Sequence, residues 1–176
     1  LPTSPNIPSY ETVVLYPGTC LFEGTNLSEG RGTTLPFRVV GAPWLNSRAV
    51  VDAFNELALP GVIAHAVSFT PAFHKYAGQV CQGVMLHVLD AVVLRPVAMG
   101  LHLVWLIRQL QPEAFQWAAT EQSQTAQPYN HFDRLIGQRA IRDRITQMAQ
   151  PDPAAIAAWT DSAAWQTYVT PHLLYT

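Results

Sequence analysis

The chain has 176 residues, of which 49% are hydrophobic and 12% are charged, and its formal net charge at pH 7 is -2. This length suits one domain, and so small a net charge gives no electrostatic basis for binding nucleic acid, which requires a basic patch. The longest apolar segment, residues 84–93, is interrupted by His87 and Asp90 and is too short for a membrane span, so none is predicted.

The first ten residues include three prolines and are predicted to form an extended, proline-rich linker. The domain is expected to extend from residue 11 to residue 176. Within it, short runs of β-branched and apolar residues predict strands. The run at residues 83–89 is apolar on both sides, so it is expected in the middle of the sheet. The four predicted strands are residues 12–16, 37–40, 62–70 and 83–89.

Apolar residues that recur every three to four positions predict helices, mainly in the second half of the chain. Asn46 or Ser47 can cap the first helix, Pro96 fits the first turn of the longest one, and Gly137 interrupts the third. The predicted fold class is α+β (mixed α/β), with an about four-stranded mixed sheet packed with helices that are segregated toward the C-terminus. The predicted helices are residues 46–57, 95–110, 130–148, 154–159 and 162–173, and residues 111–128 are predicted to be a loop with one short element near residues 115–117.

Residues 16–34 have a composition that a buried core does not require, with four glycines, two glutamates, one arginine, one asparagine and several hydroxyl side chains. Glycine lets a ligand approach the backbone closely, and hydroxyl, amide, carboxylate and guanidinium groups bind polyhydroxylated or anionic ligands. A polar loop between apolar strands is a common location for function. The segment is therefore predicted to be a ligand-binding loop.

Glu23 and Glu29 both belong to this loop. Two carboxylates that flank a bond are what glycoside hydrolysis usually needs, one as the acid and the other as base or nucleophile. Alternatively, one of them pairs with Arg31 and the other caps a turn. Arg31 lies between two glycines, so its planar guanidinium could bind a carboxylate or phosphate, or form an ion pair with either glutamate.

Other polar residues have two possible roles each. Thr25, Asn26 and Thr33 offer short donors and acceptors that can bind a ligand or close the loop internally. His87 lies inside the predicted central strand, where it is either a ligand contact or a satisfied core histidine. Aromatic faces are the usual platform for sugar rings, although a single aromatic residue more often packs in a core.

The two cysteines, Cys20 and Cys81, also leave alternatives open. A disulfide between them would be worth about 4 kcal/mol in the chain-entropy model, or both are buried thiols. Cys20 with His87 or His74 could instead supply a thiol nucleophile and its base. The six histidines are dispersed and the sequence has no metal-binding motif, so neither a metal nor another cofactor is predicted.

Residues 16–34, followed by Gly41-Ala-Pro-Trp44, closely resemble the exo-β-N-acetylmuramidase family of the NamZ type. The resemblance implies that this chain is the C-terminal half of such a protein and that the N-terminal Rossmann-like half is absent. In this family the substrate cleft lies between the two halves, and a Glu of the first half is held to be catalytic. The resemblance continues in order through residues 69–76, 81–83, His87, residues 95–96, 132–137 and 173–175.

The resemblance implies a bacterial, periplasmic or secreted glycoside hydrolase that releases terminal N-acetylmuramic acid, with this chain forming one wall of the cleft. The implied partners are a muramyl sugar or peptidoglycan fragment and the N-terminal half of the same protein. Arg31 is the candidate partner of the lactyl carboxylate. The alternative is a non-catalytic muramyl-sugar-binding or structural domain that is inactive on its own. The candidate catalytic residues are Glu23 and Glu29, and the candidate substrate-binding residues are Thr25, Asn26, Arg31, Thr33, Trp44, Tyr76 and His87.

Overall fold

The computed structural model describes residues 4–118, 130–150 and 152–174, and it confirms the α+β class. The described residues form three strands, β1 (Val39–Ala42), β2 (Val62–Phe69) and β3 (Cys81–Val88). The strands pair in the order β1-β3-β2, and both pairs are antiparallel. The described part of the chain therefore has a three-stranded antiparallel sheet in place of the four-stranded mixed sheet that was predicted.

Helices occur on both sides of the strands in sequence, so they are not confined to the C-terminal half. Residues 20–24 and 170–172 form short 3-10 helices. Residues 1–3 of the predicted linker, residues 119–128 of the predicted loop and residue 175 of the last family motif lie outside the described residues. The α-helices of the described residues are α1 (Tyr10–Thr19), α2 (Ser47–Glu56), α3 (Pro96–Leu110), α4 (His131–Ile136), α5 (Arg139–Gln147), α6 (Pro153–Trp159) and α7 (Ala163–Val169).

Elements with a strong hydrophobic period lie close to their predicted positions. Asn46 caps α2, because its side chain accepts a hydrogen bond from the backbone N–H of Ala49 at 3.2 Å. α3 begins at Pro96, as expected of a residue that suits the first helical turn. Gly137 separates α4 from α5 with a φ of 75°, a left-handed conformation that favours glycine. β3 is the central strand, as its apolar character predicted.

The prediction of a strand at residues 12–16 is wrong, because this segment belongs to α1. Ser9 caps the helix by accepting a hydrogen bond from the backbone N–H of Thr12 at 3.2 Å. The residues of α1 that are buried, Thr12, Leu15, Gly18 and Thr19, recur with helical spacing. The β-branched run favours a strand by propensity, but burial of this face against α3 decides for the helix.

The core lies between one face of the sheet and helices α2 and α3. Alternate strand residues such as Val40, Ala64, Val84 and Leu86 are buried on that face. α3 is buried along most of its length, from Met99 to Ile107, as its broad apolar surface predicted. The segment after α1 packs on the same core, to which it contributes Leu21, Phe22 and Leu27.

α1 and α3 are in close contact at two glycines, Gly18 and Gly100. Substitution of Gly100 by alanine is therefore expected to lower the free energy of unfolding by about 3 kcal/mol. A Cβ atom at Gly100 would lie 2.3 Å from the carbonyl oxygen of Gly18, and one at Gly18 would lie 1.9 Å from that of Pro96. This overlap outweighs the helix propensity that alanine adds, about 1 kcal/mol. Equilibrium unfolding in urea measures the difference.

The matched control is Gly137→Ala. An added Cβ there would meet nothing within 4 Å, but φ is +75°, so only backbone strain of about 1 kcal/mol is expected. A smaller loss for Gly100→Ala than for Gly137→Ala would contradict the close helix contact.

Candidate functional site

The glycine-rich segment of residues 16–34, which its composition predicted to be a ligand-binding loop, is largely buried. It begins in the last turn of α1, forms the 3-10 helix Cys20–Gly24, and then runs to the edge of β1. There Ser28 and Gly41 exchange two backbone hydrogen bonds of 2.8 and 3.0 Å. Phe22 and Leu27 are fully buried and join the core. The segment is thus a framework whose charged side chains are held at defined positions.

Glu29 is the centre of a charged cluster, and its side chain is 0% exposed. Its Oε2 accepts a hydrogen bond from Lys75 Nζ at 3.2 Å. Its Oε1 lies 3.1 Å from Arg31 Nε and 3.3 Å from His74 Nδ1. These two contacts are within ion-pair distance, but neither is a hydrogen bond, so Oε1 is a buried acceptor that remains unsatisfied among the described residues. Because a buried carboxylate is costly unless it is paired, the three nitrogens are what permits Glu29 at this position.

Lys75 is the only lysine of the chain and holds the glycine-rich segment in place. Besides Glu29, its Nζ donates hydrogen bonds to the carbonyl oxygens of Phe22 at 3.0 Å and Leu27 at 2.9 Å. An ammonium group has three donors, and here each has an acceptor on the same segment. The sequence offered one signal for this residue, a single lysine in a chain of few charges, and its role was not predicted.

The loop between β2 and β3 that carries Lys75 is bent by unusual backbone conformations. His74 and Tyr76 have φ values of 72° and 58°, a region that residues other than glycine rarely adopt. Such conformations cost about 1–3 kcal/mol each and persist only when neighbouring contacts impose them. The contacts of Lys75 and Tyr76 do so here, since Tyr76 donates a 2.6 Å hydrogen bond to the carbonyl of Asn26.

Arg31 connects the two glutamates. Its Nη2 donates a 3.3 Å hydrogen bond to Glu23 Oε2, while its Nε faces Glu29 and its guanidinium lies 4.9 Å from the ring centre of Phe37. The predicted alternative of an ion pair between Arg31 and one of the glutamates is therefore observed, and the pairing extends to both of them. The side chains of Glu23, Arg31 and His74 are 20%, 24% and 48% exposed, and we call these three residues the accessible edge of the cluster. Lys75 is also 24% exposed, but its ammonium is bonded to the glycine-rich segment.

Most of the other polar candidates form bonds within the fold. Thr25 Oγ1 donates to the Phe22 carbonyl at 2.8 Å, and Thr33 Oγ1 to the Gly30 carbonyl at 2.7 Å. The amide of Asn26 donates to the carbonyl of Ala114 at 2.8 Å and accepts from the backbone N–H of Gln116 at 2.9 Å. These contacts correspond to the internal bonding that was one of the two predicted roles.

The aromatic candidates are also engaged within the fold. Trp44 Nε1 donates a 3.2 Å hydrogen bond to the hydroxyl of Tyr76, and both rings pack against the core. The hydroxyl of Tyr76 in turn donates to the carbonyl oxygen of Asn26, so the two aromatic side chains connect the core to the glycine-rich segment. Their substrate-binding role stays a prediction.

His87 belongs to a different part of the surface. It lies on β3 with its ring 4.8 Å from that of His65, and Arg38 and Glu11 are its charged neighbours. Burial, then His65 and Arg38, lower the pKa of His87 below its ordinary value. It is not a contact of the Glu29 cluster.

Cys20 and Cys81 are both free thiols. Burial, followed by the negative charge of Glu23, raises the pKa of Cys20 to about 11. Since the thiolate is the nucleophilic form, very little of Cys20 is reactive near neutral pH. The structure therefore does not favour the thiol nucleophile among the alternatives.

A groove of about 660 Å³ borders the segments that carry Arg31 and His74, although neither these two side chains nor Glu23 belong to its lining. Its lining includes Gly32 and Phe73, which are the chain neighbours of Arg31 and His74. Phe73 is 57% exposed, so its ring is available to a ligand. Within the described ranges, no three His, Cys, Asp or Glu side chains come together in a way that could hold a metal ion, and no helix is long and apolar enough to cross a bilayer.

The family model described as exo-beta-N-acetylmuramidase NamZ, C-terminal, matches residues 14–175. The chain belongs to this family. Over 142 residues, or 81% of the chain, it is 44% identical to the peptidoglycan beta-N-acetylmuramidase NamZ of Bacillus subtilis (strain 168). The aligned region covers 32% of that protein, so the chain spans about a third of the length of this relative.

Two crystal structures of DUF1343 family proteins from Bacteroides fragilis NCTC 9343 have the same fold. The first has a TM-score of 0.80 and 22% identity, and the match covers 100% of this chain and 45% of that one. The second has a TM-score of 0.59 and 25% identity, with coverage of 99% and 44%. The fold described above is therefore found as part of longer proteins.

Proposed function

We propose that this chain is a domain of a peptidoglycan-degrading glycoside hydrolase that releases terminal N-acetylmuramic acid. The observation that carries the proposal is the 44% identity to a peptidoglycan beta-N-acetylmuramidase over 81% of the chain. The accessible edge formed by Glu23, Arg31 and His74 supports it, because carboxylate, guanidinium and imidazole groups suit a polyhydroxylated, anionic sugar. A peptidoglycan substrate fits a periplasmic or secreted protein.

In this proposal the domain forms one wall of the substrate cleft, and a Rossmann-like N-terminal half of the same protein forms the other. Glycoside hydrolysis needs two carboxyl groups in most families. Glu23 is the accessible carboxylate of this wall, and the second carboxyl group belongs to the other half. Glu29, the other predicted catalytic residue, is buried under Arg31, His74 and Lys75, so we assign it to positioning these side chains.

Arg31 is proposed to bind the lactyl carboxylate of the sugar. Its Nε and Nη2 face the two glutamates, whereas Nη1 has no hydrogen-bond or ion-pair partner among the described residues. A guanidinium with a free nitrogen at an exposed edge can add a charge-assisted hydrogen bond to an anionic group.

The full-length protein is expected to release the chromophore from a chromogenic N-acetylmuramide, and Arg31→Lys is expected to weaken binding of N-acetylmuramic acid about tenfold. Binding of N-acetylglucosamine, which lacks the lactyl group, should stay unchanged. Calorimetric titration measures both affinities. Arg48→Lys, an exposed arginine of α2, is the control. Equal affinity of Arg31→Lys and wild type for the lactyl sugar would refute the role of Arg31.

A second candidate is a non-catalytic domain that binds muramyl sugars or supports the catalytic half. The burial of Glu29 favours it, because only one of the two predicted carboxylates, Glu23, is accessible on this wall. Chromophore release by the 176-residue chain alone would exclude this candidate. Chromophore release that requires the N-terminal half is expected for both candidate functions.

A further inference from the structure

We propose that the imidazole of His74 orients the bound sugar by accepting a hydrogen bond, at Nε2, from a hydroxyl or amide N–H of the ring substituents. The proposal rests on the proposed function, since it assumes a muramyl sugar at the accessible edge. It assigns His74 a direct contact with the ligand and gives buried Glu29 the role of orienting the ring.

The two nitrogens of His74 have different surroundings. Nδ1 lies 3.3 Å from Glu29 Oε1, a buried oxygen that has no hydrogen-bond partner among the described residues. This acceptor favours the tautomer that carries its proton on Nδ1, which leaves a lone pair on Nε2. Among the residues that the structure describes, none forms a hydrogen bond or ion pair with Nε2.

Neutralisation of the Glu29 carboxylate does not explain why His74 lies beside it. Glu29 already faces two permanent cations, Arg31 at 3.1 Å and Lys75 at 3.2 Å. Both are less exposed than His74, which is 48% exposed and lies at the outer side of the cluster. A third nitrogen is therefore redundant for neutralising the carboxylate, whereas a half-exposed ring anchored at one nitrogen can present the other one to a ligand.

The backbone supports the same assignment. His74 has a φ of 72°, and non-glycine residues in this region are found where neighbouring structure imposes them, frequently at ligand sites. The conformation is imposed from both sides, because the backbone N–H of Ala72 donates to the Gly32 carbonyl at 2.8 Å and Lys75 is bonded to the glycine-rich segment. The preceding residue, Phe73, lines the groove together with Gly32, the chain neighbour of Arg31.

Arg31 and His74 then recognise different parts of one sugar. Their nitrogens face the same oxygen of Glu29, so the two side chains are close neighbours. Arg31 can only donate, and so suits the lactyl carboxylate, while Nε2 of His74 accepts, and so suits a hydroxyl or the acetamido N–H. The hydroxyl and acetamido groups occur in both N-acetylmuramic acid and N-acetylglucosamine, whereas the lactyl group occurs only in the first.

The test compares His74→Leu, which removes the acceptor, with His74→Gln, whose side-chain carbonyl retains one, in the full-length protein. Calorimetric titration with both sugars should show about a tenfold loss of affinity for His74→Leu, equal for the two sugars. His74→Gln should stay within about threefold of wild type. His131→Leu, at an exposed histidine of α4, is the control, and urea unfolding checks that each variant is folded.

Wild-type affinity of His74→Leu for both sugars would overturn the proposal. So would an equal loss in the Leu and Gln variants, which would indicate a structural role, or a loss confined to the lactyl sugar, which would mean that His74 acts on the carboxylate. If the wild-type protein binds neither sugar, the proposed function fails and this inference fails with it. If wild type prefers the lactyl sugar and His74→Leu is unaffected, only this inference fails.

Discussion

Lys75→Met is expected to lower the free energy of unfolding by about 3–5 kcal/mol, the usual cost of removing one partner from a buried ion pair. Methionine keeps the unbranched stem but has no donor for Glu29 or for the carbonyls of Phe22 and Leu27. The carboxylate of Glu29 is 0% exposed, so water cannot take the place of the lost ammonium without opening the segment. Urea unfolding followed by tryptophan fluorescence measures the loss.

A double-mutant cycle tests whether the loss of stability in Lys75→Met comes from the contact with Glu29. Glu29→Gln removes the charge that Lys75 neutralises, so the loss in Lys75→Met with Glu29→Gln should be smaller than the sum of the two single losses. Arg48→Met, at an exposed residue that forms no ion pair with the residues the structure describes, should change the free energy of unfolding by less than about 0.5 kcal/mol. If Lys75→Met unfolds at the same urea concentration as Arg48→Met, the described role of Lys75 is incorrect.

Glu23→Gln in the full-length protein is expected to reduce kcat on a chromogenic N-acetylmuramide by about 10²–10⁴-fold, the range for loss of an acid–base group. Glu23 is the accessible carboxylate of the cluster, and glutamine keeps its size while removing its charge and basicity. The fold should be retained, because the Glu23–Arg31 pair is partly solvated and such pairs contribute little to stability. Steady-state kinetics and urea unfolding measure the two effects separately.

The control is Glu56→Gln, at an exposed glutamate at the end of α2, which should leave kcat unchanged. Retention of wild-type kcat by Glu23→Gln would mean that both carboxyl groups of the reaction lie outside this wall of the cleft. That outcome would favour the non-catalytic candidate for this domain.

The candidate site could be predicted only in part from the sequence. Glu23 and Arg31 belong to one glycine-rich segment whose composition indicates ligand chemistry, and they do lie at the accessible edge. Lys75 was not among the candidates, and His74 was considered only as a base for Cys20, because Lys75 reaches Glu29 across 46 residues of sequence and no local pattern reports such a contact. The sequence also could not distinguish the roles of Glu23 and Glu29, because both precede a glycine in the same segment and the difference between them is burial.

The sequence by itself determined the elements whose hydrophobic period or end residues are strong, namely α2, α3, the break at Gly137 and the central position of β3. Local signals suffice there because period, caps and breakers act within a few residues. Only the tertiary structure decided that residues 12–16 are helical and that the glycine-rich segment is buried. Residues 12–16 are helical because they pack against α3, and the glycine-rich segment is buried because it is bonded to Lys75. Both partners are distant in sequence, and the free energy of these contacts exceeds the local conformational propensity.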